Sequence, residues 1–250
     1  MNHIGRWTVL AVCALVIIGG FIGYVWVPRV AFPEQGFFAA WCSAFGVPRS
    51  WAASKSPIVT RISSDVVLTD DLLGEPQPSD LGRGATLALR CSMCHGPTGI
   101  SYANSPNLAG QYATVIYKQL RDYKSGLRAS AIMTEMARSL SDTEMRQLAA
   151  YYASLPRPAN FKLAGTAPEI VRWGAPMRNI APCGSCHGDI DHTLASPWLK
   201  GEPEVYIRTE LIAFASDERH NDINAQMRGI AHDLTGQEID QAAAYYAGDH

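Results

Sequence analysis

Two pentapeptides of the sequence carry residues that can bind one kind of cofactor. They are Cys91-Ser-Met-Cys94-His95 and Cys183-Gly-Ser-Cys186-His187. Cysteines three positions apart lie on one helical turn, so their thiols can form thioether bonds to the two vinyl groups of one haem. The adjacent histidine can then bind the haem iron. The motifs therefore predict two covalently bound haem c groups.

A zinc site and a redox-active dithiol are the alternative interpretations of a Cys-x-x-Cys pair. Structural zinc needs four ligands that close around the ion, and a thioredoxin-like motif needs a βαβ context. The sequence lacks the strand-like alternation that such a context requires, and it contains both motifs in one repeated frame. The pattern therefore favours haem attachment at both places.

The chain repeats itself from about position 80 onward. The two haem motifs are 92 residues apart, and Leu140 and Leu234 are 94 apart. Repeated spacing of this kind indicates duplication of one domain. We therefore expect two tandem domains, domain 1 over 77–156 and domain 2 over 157–250.

Both domains have the sequence pattern of helices, and an all-α fold is expected. Ser141 with Glu144, and Thr235 with Glu238, form capping boxes that predict the start of a helix. Each predicted helix ends in a pair of tyrosines. The two terminal helices should therefore occupy equivalent places in the two domains.

The second axial iron ligand must come from farther along each domain. Domain 2 has one methionine after its haem histidine, Met227, and the repeat aligns it with Met133, since each lies seven residues before the equivalent leucine. Met133 and Met227 are therefore the expected ligands, and Met136 and Met145 are expected to fill the core. His192, His220 and His232 could compete as iron ligands in domain 2, but each lacks an equivalent in domain 1 and is expected on the surface.

The N-terminal segment 1–27 is predicted to anchor the chain in a membrane. Residues 7–27 contain no charge and would form a helix about 31 Å long, enough to cross a bilayer core. A cleaved signal peptide is the alternative, but no small-x-small cleavage site follows before Pro28. Lipid contact through this helix is therefore expected.

Residues 28–76 are predicted to connect the anchor to domain 1. The segment is rich in proline and has an acidic stretch, which is typical of a linker. Apolar residues within 33–46 recur at helical spacing and predict a short amphipathic helix. This helix could pack on the protein's own domain, or lie on a membrane or a partner subunit.

Residues 77–250 resemble the cytochrome c4 family of dihaem class I cytochromes c. The resemblance is carried by both Cys-x-x-Cys-His-Gly motifs, Pro-Asn-Leu-Ala-Gly-Gln at 106–111, Lys-Gln-Leu at 118–120, and Met-x-x-Met before Leu140. Domain 2 departs from this pattern, since Leu-Lys-Gly-Glu at 199–202 replaces Leu-Ala-Gly-Gln. The anchor and the connector also depart from the soluble members of the family. The expected fold is therefore two tandem class I cytochrome c domains behind an N-terminal transmembrane helix.

The resemblance implies supporting roles for several residues. The carbonyls of Pro106 and Pro197 would accept the Nδ1 proton of the haem histidines, which leaves Nε2 for iron. Gly82 and Gly174 would let the first helix of each domain cross the last one closely. Two arginines at equivalent repeat positions would pair with haem propionates or lie in solvent: Arg128 and Arg219.

Histidine and methionine together fill both axial positions of the iron, so single-electron transfer is the expected function. A dihaem peroxidase would need one haem with an open position, and a methionine in both domains argues against it. Membrane redox complexes are the expected partners, with a quinol-oxidising complex or dehydrogenase as donor and a terminal oxidase as acceptor. The alternative is a permanent haem subunit of such a complex, held through residues 7–50.

Composition and charge limit the other classes of function. The chain is 47% hydrophobic with a net charge of −2, which excludes a disordered protein and gives no cationic signal for nucleic acid. Residues 81–156 carry eight basic and four acidic side chains, whereas residues 157–250 carry eight basic and thirteen acidic ones. Opposite charges on the two domains could orient two different redox partners.

Overall fold

The computed structural model describes residues 3–26, 30, 63–69, 72, 74–157, 161–188 and 196–248. It consists of two compact units, one formed by 1–59 with 176–179 and the other by 60–175 with 180–250. The described ranges contain helices and no strand beyond an isolated bridge between Ala175 and Ile180. The all-α prediction is therefore confirmed.

The first unit contains helix α1, His3–Phe21, which continues as a π-helix over Ile22–Trp26. A short 3₁₀ helix, Pro176–Arg178, also belongs to this unit. In the part of the chain that the structure describes, no helix combines the length and the apolarity needed to cross a bilayer. The amphipathic helix predicted over 33–46 lies outside the described residues.

Domain 1 is a set of helices packed around one apolar core. They are α2 (Pro78–Ala88), α3 (Ser92–His95), α4 (Ala113–Ser125), α5 (Met133–Arg138) and α6 (Asp142–Ser154). Helix α6 packs against both α2 and α4, and it begins at the predicted capping box of Ser141 and Glu144. Leu87, Leu120 and Leu148 are among the side chains that these helices bury together. This core holds α3, which carries the haem motif, in place.

Domain 2 repeats this arrangement with a shorter first helix. Its helices are α7 (Glu169–Arg172), α8 (Gly184–His187), α9 (Glu204–Ala215), α10 (Gln226–His232) and α11 (Gly236–Ala247). Helix α11 begins at the predicted capping box of Thr235 and Glu238 and packs against α7 and α9. Its Tyr245 and Tyr246 rings lie 5.3 Å apart, the same separation as Tyr151 and Tyr152 in domain 1. The two domains therefore share one scheme of packing.

The glycine that permits the close crossing of α2 and α6 is Gly84. A Cβ atom at Gly84 would collide with the Gln147 carbonyl oxygen and the Tyr151 side chain, whereas one at Gly82 would meet open space. Gly174 lies in the loop after α7 at φ +65°, where a Cβ would collide with the backbone of Ile180. The role expected for Gly82 and Gly174 is therefore wrong, because neither glycine lies at a helix crossing.

The end of the segment predicted to be a connector packs on domain 1. Leu72 is buried in the core of domain 1, and Val66 and Leu68 pack against the same core. The Ser64 hydroxyl donates a hydrogen bond to Asp122 Oδ1 at 2.7 Å. Residues 63–72, where described, are thus part of the haem-binding unit rather than a free linker.

Candidate haem sites

Each haem motif forms a single helical turn at the same place in its domain. Helix α3 ends at His95, and α8 ends at His187. In both motifs the first cysteine is partly buried, the second is exposed, and both are free thiols. Each motif therefore presents two cysteines and one histidine from a single turn.

The two haem histidines are oriented by proline carbonyls. His95 Nδ1 donates a hydrogen bond to the Pro106 carbonyl oxygen at 2.8 Å, and His187 Nδ1 donates to the Pro197 carbonyl oxygen at 2.8 Å. Since Nδ1 carries the proton, Nε2 is left with its lone pair. Burial lowers the pKa of both imidazoles, and the carbonyl contact opposes this only in part. Both rings are therefore neutral and suited to bind iron.

These residues fit haem c. The donor set is two thiols and one neutral imidazole on a single turn, and it occurs twice. Gly96, directly after His95, has φ +74°, and a Cβ there would collide with the Ile100 carbonyl oxygen. The chain therefore turns sharply after the motif and returns to Pro106. Cys91, Cys94 and His95 would hold one haem, and Cys183, Cys186 and His187 would hold the other.

The three methionines that follow the haem histidine of domain 1 differ in their burial and in their contact with the core. Met133 begins α5 and packs, partly buried, against the core of the domain. Met145 is 1% exposed and belongs to the core itself, as expected. Met136 is partly buried but is not part of the described core. In domain 2, Met227 is partly buried in α10, the helix that corresponds to α5.

His192, His220 and His232 are the histidines of domain 2 that were alternative candidates for the iron ligand. His232 is exposed and contacts Asp233 at 3.1 Å, which confirms its expected place on the surface. His220 is half-buried, and its Nδ1 has no hydrogen-bond partner among the described residues. His192 lies outside the described residues.

A buried polar cluster that was not predicted from the sequence joins the two domains. Lys118 Nζ forms an ion pair with Asp122 Oδ2 at 2.6 Å and donates to the Asn221 carbonyl oxygen of domain 2 at 2.6 Å. The Asn221 side chain donates to Asp122 Oδ2 at 2.6 Å and to Gln119 Oε1 at 2.9 Å. Lys118 and Asp122 are four residues apart, so the spacing of an ion pair was visible in the sequence, but its burial was not.

Arg128 and Arg219 belong to the same cluster and share one carboxylate. Arg128 lies 2.6 Å from Glu210 Oε1, and Arg219 lies 2.7 Å from Glu210 Oε2. Burial alone would raise the pKa of Glu210, but the two guanidinium groups hold it below its ordinary value. One of the two expectations for these arginines was that they lie in solvent. This is wrong for Arg128, which is buried.

Comparison with known proteins identifies relatives that share both domains. Residues 81–156 match the family described as Cytochrome c. The chain is 38% identical to cytochrome c4 of Thiocapsa roseopersicina over 184 residues, which are 70% of this chain and 93% of that protein. It is 34% identical to a thiosulfate dehydrogenase electron acceptor of Stutzerimonas stutzeri (strain A1501), over 64% of this chain and 79% of that protein.

A solved structure has the same fold. The crystal structure of reduced recombinant cytochrome c4 from Pseudomonas stutzeri matches with a TM-score of 0.61 and 29% sequence identity. The match covers 68% of this chain and 98% of that one. Two haem c groups, bound at the two Cys-x-x-Cys-His motifs, follow from this likeness. The chain belongs to the cytochrome c4 family, whose members are dihaem electron-transfer proteins.

Proposed function

We propose that this chain carries single electrons between membrane redox complexes on the periplasmic side of the cytoplasmic membrane. The donor is a quinol-oxidising complex or a dehydrogenase, and the acceptor is a terminal oxidase. The observation that carries the proposal is the equivalence of the two sites, since both histidines have the same contact with a proline carbonyl at 2.8 Å. Two sites of one type suit transfer of electrons one at a time.

Met133 and Met227 are the residues that we propose would hold the haem irons together with His95 and His187. Haem c would supply one-electron chemistry when it is bound. The support for these two residues is their shared register, seven residues before Leu140 and Leu234, and their partial burial in equivalent helices. A histidine and a methionine together would leave the iron no position for a substrate, which suits electron transfer.

A dehydrogenase of sulfur compounds is the proposed class of donor. This is supported by a relative of 34% identity that is named as the electron acceptor of thiosulfate dehydrogenase. Purified thiosulfate dehydrogenase with thiosulfate should reduce both haems of this chain, and thiosulfate alone should not. Absence of reduction by the complete mixture would remove this donor from the proposal and leave the carrier role to be tested with a quinol-oxidising complex.

Attachment to the membrane through α1 is part of the proposal. Large apolar side chains of α1 are exposed, including Leu15 and Ile17, both 70% exposed. The uncharged run over residues 7–27 gives the same indication. Lipid would cover this apolar surface and keep the haem domains close to membrane complexes.

The second candidate function is a permanent haem subunit of a multisubunit dehydrogenase or oxidase. The same exposed side chains of α1 favour it, because a helix of a partner subunit could cover them instead of lipid. Extraction of membranes with a mild detergent, followed by purification and a haem stain of each band, distinguishes the two. A carrier should be recovered alone, whereas a fixed subunit should be recovered with its partners in a constant ratio.

A further inference from the structure

Two contacts between the haem domains occupy equivalent positions of the sequence repeat. Gln111 Nε2 donates to the Trp198 carbonyl oxygen at 2.9 Å, and Gln111 Oε1 accepts from the Trp198 N–H at 2.9 Å. Glu202 takes the place of Gln111 in domain 2, and its Oε2 accepts from the N–H of Asn107 at 2.8 Å. Asn107 is the repeat equivalent of Trp198. A side chain of each domain therefore accepts a hydrogen bond from the same backbone N–H position of the other domain.

Each of these backbone N–H groups belongs to the peptide group whose carbonyl orients a haem histidine. The Asn107 N–H and the Pro106 carbonyl are the two ends of one peptide group, and that carbonyl accepts from His95. A hydrogen bond at the N–H end of a peptide group polarises its carbonyl and strengthens the hydrogen bond made there. The chain of contacts therefore runs from Glu202 of domain 2 through one peptide group to His95 of domain 1.

The second contact, between Gln111 of domain 1 and Trp198 of domain 2, has the same arrangement with the roles of the two domains exchanged. The N–H of Trp198 and the carbonyl of Pro197 share one peptide group, and the carbonyl accepts from His187. Gln111 of domain 1 accepts from that N–H. A partner of a ligating histidine affects the basicity of the ligand and thereby the metal. Here that influence starts in the other domain.

We propose that Glu202 and Gln111 are positioning residues that act across the domain boundary, Glu202 on His95 and Gln111 on His187. Both residues are buried, at 4% and 6% exposed. The glycines before them, Gly201 and Gly110, have φ +82° and +68° and allow the close approach. A Cβ at Gly201 would collide with the Phe161 ring.

The two residues differ in one chemical respect. The amide of Gln111 donates and accepts at once, whereas a carboxyl at Glu202 donates only while it holds a proton. Burial raises the pKa of Glu202 to about 8, and the Asn107 N–H opposes this only in part. The neutral acid therefore resembles Gln111, and the carboxylate is the stronger acceptor.

The surroundings of Glu202 contain two basic side chains. Glu202, Arg157 and Lys200 line one cavity of about 180 Å³. The Arg157 guanidinium stacks on the Trp198 ring at 4.0 Å, and its Nε donates to the Gly110 carbonyl oxygen at 2.7 Å. Among the described residues, no cation forms an ion pair with Glu202.

The test is a redox titration of the complete dihaem protein at several pH values between about 7 and 9, on both sides of the pKa of Glu202. Proton NMR of the haem methyl groups assigns each potential to its haem. Loss of the Glu202 proton strengthens the contact to Asn107 and adds negative charge, which favours ferric iron. The potential of the haem bound by His95 should therefore fall as the pH rises, while that of the other haem stays constant.

Two nearly isosteric variants make the test specific. E202Q should keep the fold and abolish this pH dependence. Q111E should introduce the same dependence at the haem bound by His187. A pH dependence that survives in E202Q, or that moves both potentials equally, would overturn the proposal.

A second measurement separates influence on the ligand from simple packing. Hydrogen exchange of the Asn107 amide should accelerate in E202A, and that of the Trp198 amide in Q111A. If exchange accelerates while both potentials stay unchanged, the contacts only join the domains and the proposal fails. The inference depends on haem binding by His95 and His187 and not on the redox partners, so its failure is distinguishable from failure of the proposed donor or acceptor.

Discussion

Lys118 and Asp122 form an ion pair that domain 2 encloses. Their side chains are 5% and 0% exposed, and Nζ lies 2.6 Å from Oδ2. Burial lowers the pKa of Lys118, and Asp122 opposes this. Ser64 and Asn221 donate further hydrogen bonds to Asp122, and these offset the free-energy cost of burying the charged pair.

Removing one partner of this pair should destabilise the protein strongly. Lys118→Met leaves Asp122 charged and buried, and the expected loss in the free energy of unfolding is about 3–5 kcal/mol. Urea unfolding of the dihaem protein measures it. Lys162→Met, the same change at an exposed lysine, is the control and should change stability by less than about 0.5 kcal/mol. Equal effects of the two substitutions would contradict the role of the cluster.

The second haem motif should bind one haem covalently. Replacing Cys183 and Cys186 by Ala removes both thioether bonds, so the ratio of covalently bound haem to protein should fall by half. Quantifying haem after acid–acetone extraction of non-covalent haem measures this. Cys13→Ala, at an exposed cysteine of α1, is the control and should leave the ratio unchanged. An unchanged ratio in the double variant would show that the second motif is empty.

Met133 should be the second iron ligand in domain 1. Met133→Ala should reduce by about half the far-red thioether–iron charge-transfer band of the ferric protein, because one of two such bonds is lost. Met136→Ala is the matched control, since this methionine lies one turn away in the same helix and is also partly buried. Loss of the band in the Met136 variant instead would show that the repeat was aligned wrongly.

The sequence was sufficient for features that depend on local spacing. The haem motifs, the capping box at Ser141 and the core position of Met145 all follow from periodicity or from repeat register, and the structure agrees with them. Gly84 was missed because Gly82 lies only two residues away and the sequence does not show which one faces α6. The burial of Arg128 was missed because it depends on Glu210, which lies 82 residues away.

Protein stability should depend on pH through Glu202. In the unfolded chain this carboxyl loses its proton near its ordinary pKa of 4.5, whereas in the folded protein it keeps the proton until about pH 8. The folded state therefore binds more protons between these values, and the free energy of unfolding should fall as the pH rises, on the order of a few kcal/mol in total.

Two variants isolate this contribution. Glu202→Gln cannot titrate and should flatten the stability profile between about pH 5 and 8, as measured by urea unfolding at each pH. Glu204→Gln, at an exposed position two residues away, should leave the profile as in the natural protein. A profile that rises with pH in the natural protein would contradict the buried neutral acid.

The two domains should recognise different redox partners through their opposite charges. Domain 1 has an excess of basic residues and domain 2 of acidic ones. Arg128 is buried and cannot contact a partner, but Arg90 and Lys124 are exposed. Leu89, just before the first haem motif, and Met93, within it, are exposed as well. Arg90 and Lys124 are therefore the exposed basic residues through which docking of domain 1 is to be tested.

Charge reversal at Arg90 and Lys124 should slow association with one partner and spare the other. Reversal at Asp217 and Glu218, exposed in domain 2, should give the opposite result. The effect should appear in the association rate and weaken as salt rises, since exposed charges more than about 8 Å apart are largely screened at physiological ionic strength. Stopped-flow kinetics with each purified partner tests this. Equal slowing with both partners, or rates that do not respond to salt, would reject separate docking surfaces and favour the fixed subunit.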